Sequence, residues 1–446
     1  MKACDALSSI FGNRLSRHRV GGPCHYLEQM VADRRHFHRR PELGWCEFET
    51  TAYVVDRLES LKIFRIEMGR AVIDPASALG RSETSVGEAI KRALAQGVSQ
   101  QLLDQLGGYT GVIATWDSGR PGKTVAVRFD MDALPMTESP SPDHLPQCEG
   151  FASEIPGCMH ACGHDGHTAI GLAIAAWIND HQEDLSGKIK IIFQPAEEGV
   201  RGAAAIAASG KLDDADIFLA SHVGTEARAG EVKVLKSGFL ATTKFDIAFT
   251  GLAAHAGCEP EKGRSALSAA CACVLALQGI PRHSQGDSRI AIGTLVAGEG
   301  RNVVPAHAVM QMEVRGATTE VNRFMADEAC RLVEGICAGY GVKPTITKMG
   351  DAAVFEADDD CVQTLMDSAR AVDGVTSVTE YTTTGGSEDA SILSKRVRDH
   401  GGLAGFFIFG CDHHGHHRAD FDIQDTRSLP IGFAVMAGAI ARYLQK

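Results

Sequence analysis

The chain has 446 residues, more than one hydrophobic core usually serves, so its length predicts two domains. Hydrophobic residues make up 44% and charged residues 22%, as in ordinary globular proteins. A net charge of −12 argues against a nucleic-acid partner, because phosphate binding requires clustered Lys and Arg. No apolar run approaches the roughly 20 residues that span a bilayer, so we expect no membrane partner.

The cysteines and the first residues both favour the cytoplasm. The 13 cysteines are scattered and include no Cys-x-x-Cys pair, which argues against a disulfide framework and a zinc ribbon. Residues 1–20 lack a sustained apolar stretch and a cleavage site, and so predict no signal peptide. We therefore expect a cytoplasmic protein with reduced cysteines.

The elements predicted in chain order begin with helices over about 26–39 and 47–62 and a helical insertion over roughly 70–107. Beyond the insertion, apolar runs typical of buried strands alternate with helical segments. The strand-like runs are GVIATW, KTVAVRF, GKIKIIF, DADIFLAS and, near the end of the chain, LAGFFIF. The helical segments between them include TAIGLAIAAWIND and AAAIAASG. This alternation predicts the α/β fold class.

The order of elements changes from about residue 241, where the pattern becomes β-α-β-β-α-β. That order predicts a small two-layer domain of the ferredoxin-like type, inserted over residues 241–351. The remaining residues, 1–240 and 352–446, would form one larger α/β domain.

Polar motifs directly follow several of the apolar strands. FDMD, PAEEG and SHVG each stand at the end of a predicted strand, and a histidine-rich segment follows the last one. In open α/β sheets, ligands bind at the carboxyl ends of the strands. We therefore expect these motifs to converge in one crevice.

The stretch HACGHDGHT, residues 160–168, could be half of a metal site, a reactive thiol or a polar loop. In an extended loop the i and i+2 side chains lie on the same side, so Cys162 and His164 can face one metal centre. A dinuclear site needs about three protein ligands per ion. The other loops supply further candidate donors, which are Glu197, Glu198, His222, His413, His414, His416 and His417.

The adjacent carboxylates Glu197 and Glu198 are informative because such a pair at a strand end is self-repelling. Desolvating both side chains is costly unless cations lie nearby. One carboxylate can then ligate a metal while its neighbour acts as a general base on a water molecule. The pair therefore favours a metal-dependent hydrolytic site.

Each motif alone also has an ordinary explanation: a structural His222, a solvated Glu-Glu loop, a small buried Cys162. A second alternative is a hydrolase in which Cys162 is the nucleophile and a distant histidine is the base. It leaves the two glutamates and the C-terminal histidines without a role. A metal-storage module would rest on HHGHH alone. The joint occurrence of the motifs after successive strands favours the metal site.

A set of motifs, in order along nearly the whole chain, matches one family. They are RRHFHRRPELGWCEFET, RFDMDALP, HACGHDGHT, FQPAEEG, SHVG, GLAAHAG, RNVVP and GGSEDA. With them the chain resembles the co-catalytic metallopeptidase superfamily of aminoacylases and glutamate carboxypeptidases. Within it, the chain resembles the amidohydrolase branch of hippurate hydrolase and the indole-acetyl–amino-acid hydrolases. The insertion near 70–107 looks most like the aminobenzoyl-glutamate utilization protein A subgroup.

The resemblance implies specific roles for residues of the larger domain. Cys162 would be a thiolate that bridges two metal ions, and Glu197 would be the general base. Asp132 would orient a ligand. The remaining implied ligands are His164, Glu198, His222 and His417.

Three residues of the inserted domain would contact the substrate. The resemblance implies that His255 contacts the oxyanion developing at the scissile carbonyl, with a reach to the neighbouring subunit's site. Asn302 and Arg315 would bind the substrate carboxylate, since Arg suits bidentate contacts to carboxylates.

The last ligand motif departs from the family pattern. Relatives show His-x-Pro-x-Phe, whereas this chain has HRADF over residues 417–421, without the proline and with extra histidines upstream. Spacing from Phe421 favours His417, and His416 stays an alternative.

The implied activity is cleavage of the amide between an aromatic acyl group and an amino acid, with p-aminobenzoyl-glutamate as the best candidate. The resemblance implies two divalent metal ions per subunit, for which manganese is preferred and zinc stays an alternative. It also implies a dimerisation or lid role for the inserted domain, in a homodimer or a heterodimer with a paralogous subunit. The alternatives are a general N-acyl-amino-acid hydrolase and a non-catalytic partner subunit on the same fold.

Overall fold

The structure, a computed structural model, describes residues 23–383 and 385–445. The prediction that no signal peptide is present concerns residues 1–20, which lie outside the described residues. Within the described ranges, no helix combines the length and the apolar character needed to cross a membrane.

Helices and strands alternate along most of the chain. The strands are β1 (Arg65–Met68), β2 (Val112–Asp117), β3 (Thr124–Asp130), β4 (Lys188–Gln194), β5 (Ile217–Val223), β6 (Glu231–Gly238), β7 (Ala241–Thr250), β8 (Ser288–Ala297), β9 (His307–Gly316), β10 (Lys343–Ala352), β11 (Phe355–Glu356), β12 (Ser377–Thr382) and β13 (Leu403–Phe409). The helices are α1 (Pro23–Arg39), α2 (Phe48–Leu61), α3 (Glu83–Ala95), α4 (Gln100–Leu106), α5 (Leu145–Cys148), α6 (His164–Asp180), α7 (Ala203–Ala208), α8 (Ala266–Gln278), α9 (Thr319–Tyr340), α10 (Asp359–Arg370), α11 (Ala390–Asp399) and α12 (Asp425–Leu444).

The larger sheet is mixed, with strand order β1-β2-β4-β3-β5-β13-β6-β11 and β12 beside β6. Its centre is parallel, because β3 pairs in parallel with β4 and β5, and β13 pairs in parallel with β5. Strands β2 and β6 pair antiparallel with their neighbours β4 and β13. The carboxyl ends of β3, β4, β5 and β13 therefore meet at one edge. This arrangement, a mixed sheet, confirms the predicted α/β class.

Helices cover both faces of the larger sheet, which explains why its central strands are continuous apolar runs. All seven residues of β3 and all seven of β5 are buried. One face packs against α1, α2, α6, α10 and α12 in a core that includes Ile170, Phe193 and Phe433. The opposite face packs against α3, α7 and α11, around Phe218 and Phe406.

The smaller sheet has strand order β10-β7-β9-β8 with every neighbouring pair antiparallel. Helices α8 and α9 pack on it through a separate core that includes Phe249, Met310 and Met325. The order strand, helix, strand, strand, helix, strand is the one predicted from the sequence. The boundaries of a separate inserted domain, 241–351, stay a prediction.

A buried charge network ties α1 to the start of α6 and to the segment before α12. Arg34 is fully buried and its guanidinium contacts Asp165 at 2.8 Å and Asp422 at 2.9 Å. The His38 ring lies between Asp165, 2.7 Å from Nδ1, and Glu138, 2.9 Å from Nε2. Buried charges are tolerated when paired in this way. The network therefore fixes the elements that flank the sheet edge described above.

Replacing Glu138 with Gln should remove a pH-dependent part of the stability. Burial acts to raise the pKa of Glu138, but hydrogen bonds from His144 and His38 outweigh it and lower the pKa from 4.5 to about 2. A carboxylate with a lowered folded-state pKa stabilises the fold above its unfolded-state pKa, and this contribution is lost as the pH falls towards the folded value. The unchanged protein should unfold at a higher midpoint than Glu138→Gln. This difference should be largest above about pH 4.5 and should decrease as the pH falls towards 2.

Thermal unfolding at a series of pH values measures this difference. The control is Glu59→Gln on the exposed surface of α2, which should leave the midpoint within the small range of surface substitutions. A Glu138→Gln difference that stays constant between pH 7 and pH 3 would contradict the assignment.

Candidate metal centre

The predicted donor residues gather at the carboxyl edge of the larger sheet. Asp132 follows β3, Glu197 and Glu198 follow β4, and His222 lies at the end of β5. His417 lies in the segment after β13, and its backbone N–H donates to the carbonyl of Ala161 at 2.9 Å. The backbone of this last segment is therefore tied to the loop that carries Cys162.

Asp132 holds two of the donor segments in place. Its carboxylate accepts the backbone N–H of Glu197 and of Glu198, both at 2.9 Å. Its main-chain carbonyl accepts the Nδ1–H of His164 at 2.9 Å. His164 Nε2 is then left buried with no hydrogen-bond partner among the described residues. A buried nitrogen without a partner is costly unless something binds it, and a metal ion would.

The ligand atoms form two overlapping groups whose members all lie within 4.8 Å of one another. One group is Cys162, His164 and His222, and the other is Cys162, Glu198 and His417. Cys162 belongs to both, as a bridging thiolate requires. Three protein ligands per ion, drawn from sulfur, imidazole nitrogen and carboxylate oxygen, suit two divalent cations. The residues therefore fit the pair of ions that the sequence predicts.

The pKa shifts of Cys162, Glu197 and His222 also suit cations. For His164, burial acts to lower the pKa, but the charges of Asp130 and Cys162 outweigh it and raise the pKa. Burial raises the pKa of the Cys162 thiol well above its ordinary value, and the charge of Glu198 adds to the effect. Burial, together with the charges of Glu388, Asp389 and Glu198, raises the pKa of Glu197. Burial lowers the pKa of His222 well below its ordinary range, so its ring is neutral. The Cys162 thiol and the Glu197 carboxyl resist ionisation here, and nearby metal ions would favour their ionised forms. The neutral imidazole of His222 can bind a metal ion directly.

His416 and His417 occupy different positions. His416 Nδ1 lies 3.6 Å from Cys162 Sγ, while its Nε2 accepts the backbone N–H of Thr225 at 3.0 Å. A neutral ring that accepts through Nε2 carries its proton on Nδ1, so this nitrogen points an N–H at the sulfur. His417 Nε2 lies 3.4 Å from Glu198 Oε1 and belongs to a donor group. The geometry favours His417 as a ligand and His416 as a hydrogen-bond donor to Cys162.

Arg315 lies in the same cavity as the donor residues, a space of about 300 Å³. Its guanidinium donates to Glu313 at 2.8 Å and to Ser387 Oγ at 3.2 Å. Lys244 also lines this cavity and contacts Glu313 at 2.8 Å. The cavity therefore combines the donor cluster with two cationic side chains that could bind a carboxylate.

His255 and Asn302 are not brought to this cavity. Both are exposed, and neither lines the space around the donors. His255 Nδ1 accepts the backbone N–H groups of Gly257 and Cys258, each at 3.1 Å. The backbone carbonyl of Asn302 accepts from the N–H of Ala256 at 3.1 Å. Their roles in substrate binding stay predictions.

His167 and Asp165, two further polar residues of HACGHDGHT, have structural partners. His167 Nδ1 lies 2.6 Å from Asp130, and its Nε2 accepts the backbone N–H of Val223 at 3.0 Å. Asp165 pairs with Arg34 and His38 in the buried network. His160 is buried and belongs to none of the donor groups.

Sequence reasoning assigned no role to a buried acidic pair beside the cluster. Glu388 and Asp389 contact the guanidinium of Arg128 at 2.9 and 3.0 Å. Asp389 also accepts the backbone N–H of Ala203 at 3.0 Å, and Glu388 lines the cavity. The motif GGSEDA contains both carboxylates, but their partner Arg128 lies in the distant strand β3.

Comparisons with known proteins agree on one family. The profile of peptidase family M20/M25/M40 matches residues 126–442. A Haemophilus influenzae homolog of the A subunit of p-aminobenzoyl-glutamate hydrolase is 45% identical, over 90% of this chain and 96% of that protein. The indole-3-acetyl-aspartic acid hydrolase of Enterobacter agglomerans is 44% identical, over 90% and 92% of the two chains. The crystal structure of an aminobenzoyl-glutamate utilization protein from Klebsiella pneumoniae, 38% identical, superposes with a TM-score of 0.80 over 94% of this chain and 98% of that one.

Replacing Cys162 with Ala should reduce metal binding, because Cys162 is the donor shared by both groups. We expect the metal content of the purified chain to fall from about two ions to one or fewer. Elemental analysis after dialysis against manganese or zinc measures it. The control is Cys158→Ala, a buried cysteine of the same loop whose thiol faces the carbonyl of Pro41. If Cys162→Ala kept the full metal content, the Cys162 thiol would not be a ligand shared by the two metal ions.

Proposed function

The chain belongs to peptidase family M20/M25/M40, and on that premise we propose that it hydrolyses the amide bond between an aromatic acyl group and an amino acid. The family and its hydrolase relatives make the chain a metal-dependent hydrolase of amide bonds. One observation carries the more specific proposal: Glu197, the metal-donor cluster and the two cationic side chains share one cavity.

The proposed substrate is p-aminobenzoyl-glutamate. Support comes from the Haemophilus influenzae relative and the Klebsiella pneumoniae structure, whose names both refer to aminobenzoyl-glutamate. Indole-3-acetyl-aspartate is the second candidate, because the Enterobacter agglomerans relative is almost equally similar. Both molecules join an aromatic acyl group to an acidic amino acid. A broader N-acyl-amino-acid hydrolase is the general alternative.

The proposed ligands of two divalent ions are Cys162, His164, Glu198, His222 and His417. When bound, such ions polarise a carbonyl group and make a water molecule more nucleophilic near neutral pH. Thiolate, imidazole and carboxylate donors accept both manganese and zinc. We propose manganese as the working metal, and the protein's donor set is compatible with it.

Glu197 is the proposed general base. It is 8% exposed at the cavity wall, and its Oε2 lies 4.0 Å from His164 Nε2. A carboxylate there can take a proton from the attacking water and later give it to the nitrogen of the leaving amino acid. Asp132 is a positioning residue, since it holds the backbone of Glu197 rather than the reacting atoms.

Arg315 and Lys244 are the proposed binding site for the substrate carboxylates. Both donate to Glu313, which fixes their positions, and both line the cavity. Arg315 can form two parallel hydrogen bonds with a carboxylate, and Lys244 adds a point charge. An amino acid with an acidic side chain would use both.

The proposed assembly is a dimer, either of two copies or with a paralogous second subunit. The Haemophilus influenzae relative is named for one subunit of its hydrolase, which supports a hetero-oligomer. Two exposed apolar side chains lie on the smaller sheet and its covering helix: Val296 on edge strand β8 is 73% exposed, and Leu275 on α8 is 77% exposed. Exposed apolar patches mark interaction surfaces. In such a dimer, the resemblance implies that His255 reaches the neighbouring subunit's site.

A panel of acyl-amino acids tests the proposal directly. We expect the chain with manganese to release free amine from p-aminobenzoyl-glutamate faster than from N-acetylglutamate, with indole-3-acetyl-aspartate as the comparison. The assay is run with and without candidate partner subunits and repeated with zinc. Failure on every substrate with metal bound would overturn the proposal. A chain that binds no metal would instead support a non-catalytic partner subunit.

Replacing Glu197 with Gln should remove the general base without removing a metal ligand. The turnover rate should fall by about 10²- to 10⁴-fold while the metal content stays unchanged. Steady-state kinetics and elemental analysis of the same sample measure the two quantities. Glu183→Gln, a substitution outside the cavity, is the control and should match the unchanged protein. A Glu197→Gln variant that keeps its rate would exclude Glu197 as the base.

A further inference from the structure

A second cavity, of about 380 Å³, adjoins the metal centre. Glu198 and Gly199 line both cavities, and the two share no other residue. The turn that carries a proposed metal ligand therefore forms the wall between them. A substrate whose scissile bond lies at this turn can extend into both spaces.

The helical insertion forms one side of this second cavity. Gly80, Ser82, Ser85 and Val86 line it from the insertion, opposite Leu134 on the segment after β3. Ser82 caps α3 by accepting the backbone N–H of Ser85 at 3.3 Å. The insertion singled out in the sequence thus contributes to a space beside the proposed reaction centre.

Arg201 connects the insertion to the Glu198 turn through hydrogen bonds. Its Nε donates to the carbonyl of Glu198 at 2.7 Å, and its Nη1 donates to the carbonyl of Gly80 at 3.3 Å. The guanidinium packs against Gly44, where an added Cβ would lie 2.4 Å from Nη2. On the same side, Trp45 Nε1 donates to the carbonyl of Leu79 at 2.7 Å. These contacts set the width of the cavity.

The two cavities differ in the cationic side chains that line them. The first presents Arg315 and Lys244, which suit carboxylates. The second is lined mainly by apolar groups, and its cation Arg201 is engaged with two backbone carbonyls. The apolar lining residues are Leu43, Trp45, Val86, Ala133, Leu134 and Pro135. Such walls favour an uncharged apolar group, because a buried charge without partners is costly.

We propose that this second cavity is the acyl subsite of the enzyme, with the insertion over residues 70–107 selecting an aromatic acyl group. The inference rests on the proposed hydrolysis of acyl-amino acids. The amino-acid end occupies the cationic cavity, the amide lies at the Glu198 turn, and the aromatic ring packs between Val86 and Leu134. An acetyl group is too small to reach the insertion and would gain little from it.

The substitution Ser85→Trp tests the subsite by filling it from the insertion. Ser85 is exposed on α3 and its neighbour Ser82 keeps the helix cap. The value of kcat/KM for p-aminobenzoyl-glutamate should fall by about tenfold or more, a loss typical of an obstructed apolar pocket, while N-acetylglutamate is little affected. The matched control is Thr84→Trp, the preceding exposed residue, which does not line the cavity. It should leave both substrates within about twofold of the unchanged chain.

A second substitution, Leu134→Ala, weakens the opposite wall without adding bulk. The backbone of Leu134 pairs with Met159, and the substitution leaves that pairing in place. We expect a selective loss of about three- to tenfold on the aromatic substrate, as for one or two lost apolar contacts. Equal losses on both substrates, or no loss in either variant, would overturn the acyl subsite while leaving the proposed hydrolysis intact.

Titration with p-aminobenzoate, followed by ligand-observed NMR, tests the cavity without turnover. This product should bind the unchanged chain and Thr84→Trp equally and bind Ser85→Trp about tenfold more weakly. If the unchanged chain cleaves neither substrate, the proposed function is wrong. In that case the titration alone tests whether the second cavity binds an aromatic acid. Equal binding of p-aminobenzoate by all three chains would overturn the subsite.

Discussion

The carboxylate of Asp132 is the contact on which the candidate metal centre depends. It accepts two successive backbone N–H groups, those of Glu197 and Glu198, and so holds the turn that carries both side chains. The turn is strained, because Ala196 and Val200 have φ values of 53° and 59°. Such backbone is uncommon for residues with a Cβ and persists only where surrounding contacts determine it. Asp132 supplies two of those contacts, and Glu47 supplies another by accepting the backbone N–H of Ala196 at 2.8 Å.

Negative charge is the second constraint on this region. Glu197 lies within 4.8 Å of Glu388 and Asp389, and Arg128 contacts those two carboxylates together with Asp130. One guanidinium therefore serves three buried carboxylates, and the basic group that Glu197 contacts is the ring of His164, whose Nε2 lies 4.0 Å from Glu197 Oε2. Carboxylates in such a position either stay protonated or recruit positive charge. Bound divalent ions would meet this need and would also keep Glu197 ionised for proton transfer.

The sequence predicts the parts of this molecule whose determinants are local. The strands β2 to β5 and β13 are continuous apolar runs, because helices bury both faces of the sheet there. The sequence does not predict strands β6, β11 and β12. Strand β12 illustrates the reason, because its residues are half-buried or exposed. Its pairing with β6 also joins segments that are distant in the sequence. Three of the candidate metal donors, Glu198, His222 and His417, come at or after the ends of predicted strands, so their convergence could be predicted. Arg128 and Glu388 were not assigned roles, since their contact joins β3 to a loop near the end of the chain.

In the proposed function, recognition of a substrate would be divided among three parts of the chain. Arg315 and Lys244 lie on β9 and β7 of the smaller sheet, whereas the metal donors follow the strands of the larger one. The second cavity is closed by the insertion, which Arg201 attaches to the Glu198 turn. Because the insertion supplies no metal donor, its side chains can change the fit of an acyl group without changing the groups that perform the hydrolysis. Relatives with different acyl groups in their names are then expected to differ at this wall, while their donor sets stay alike.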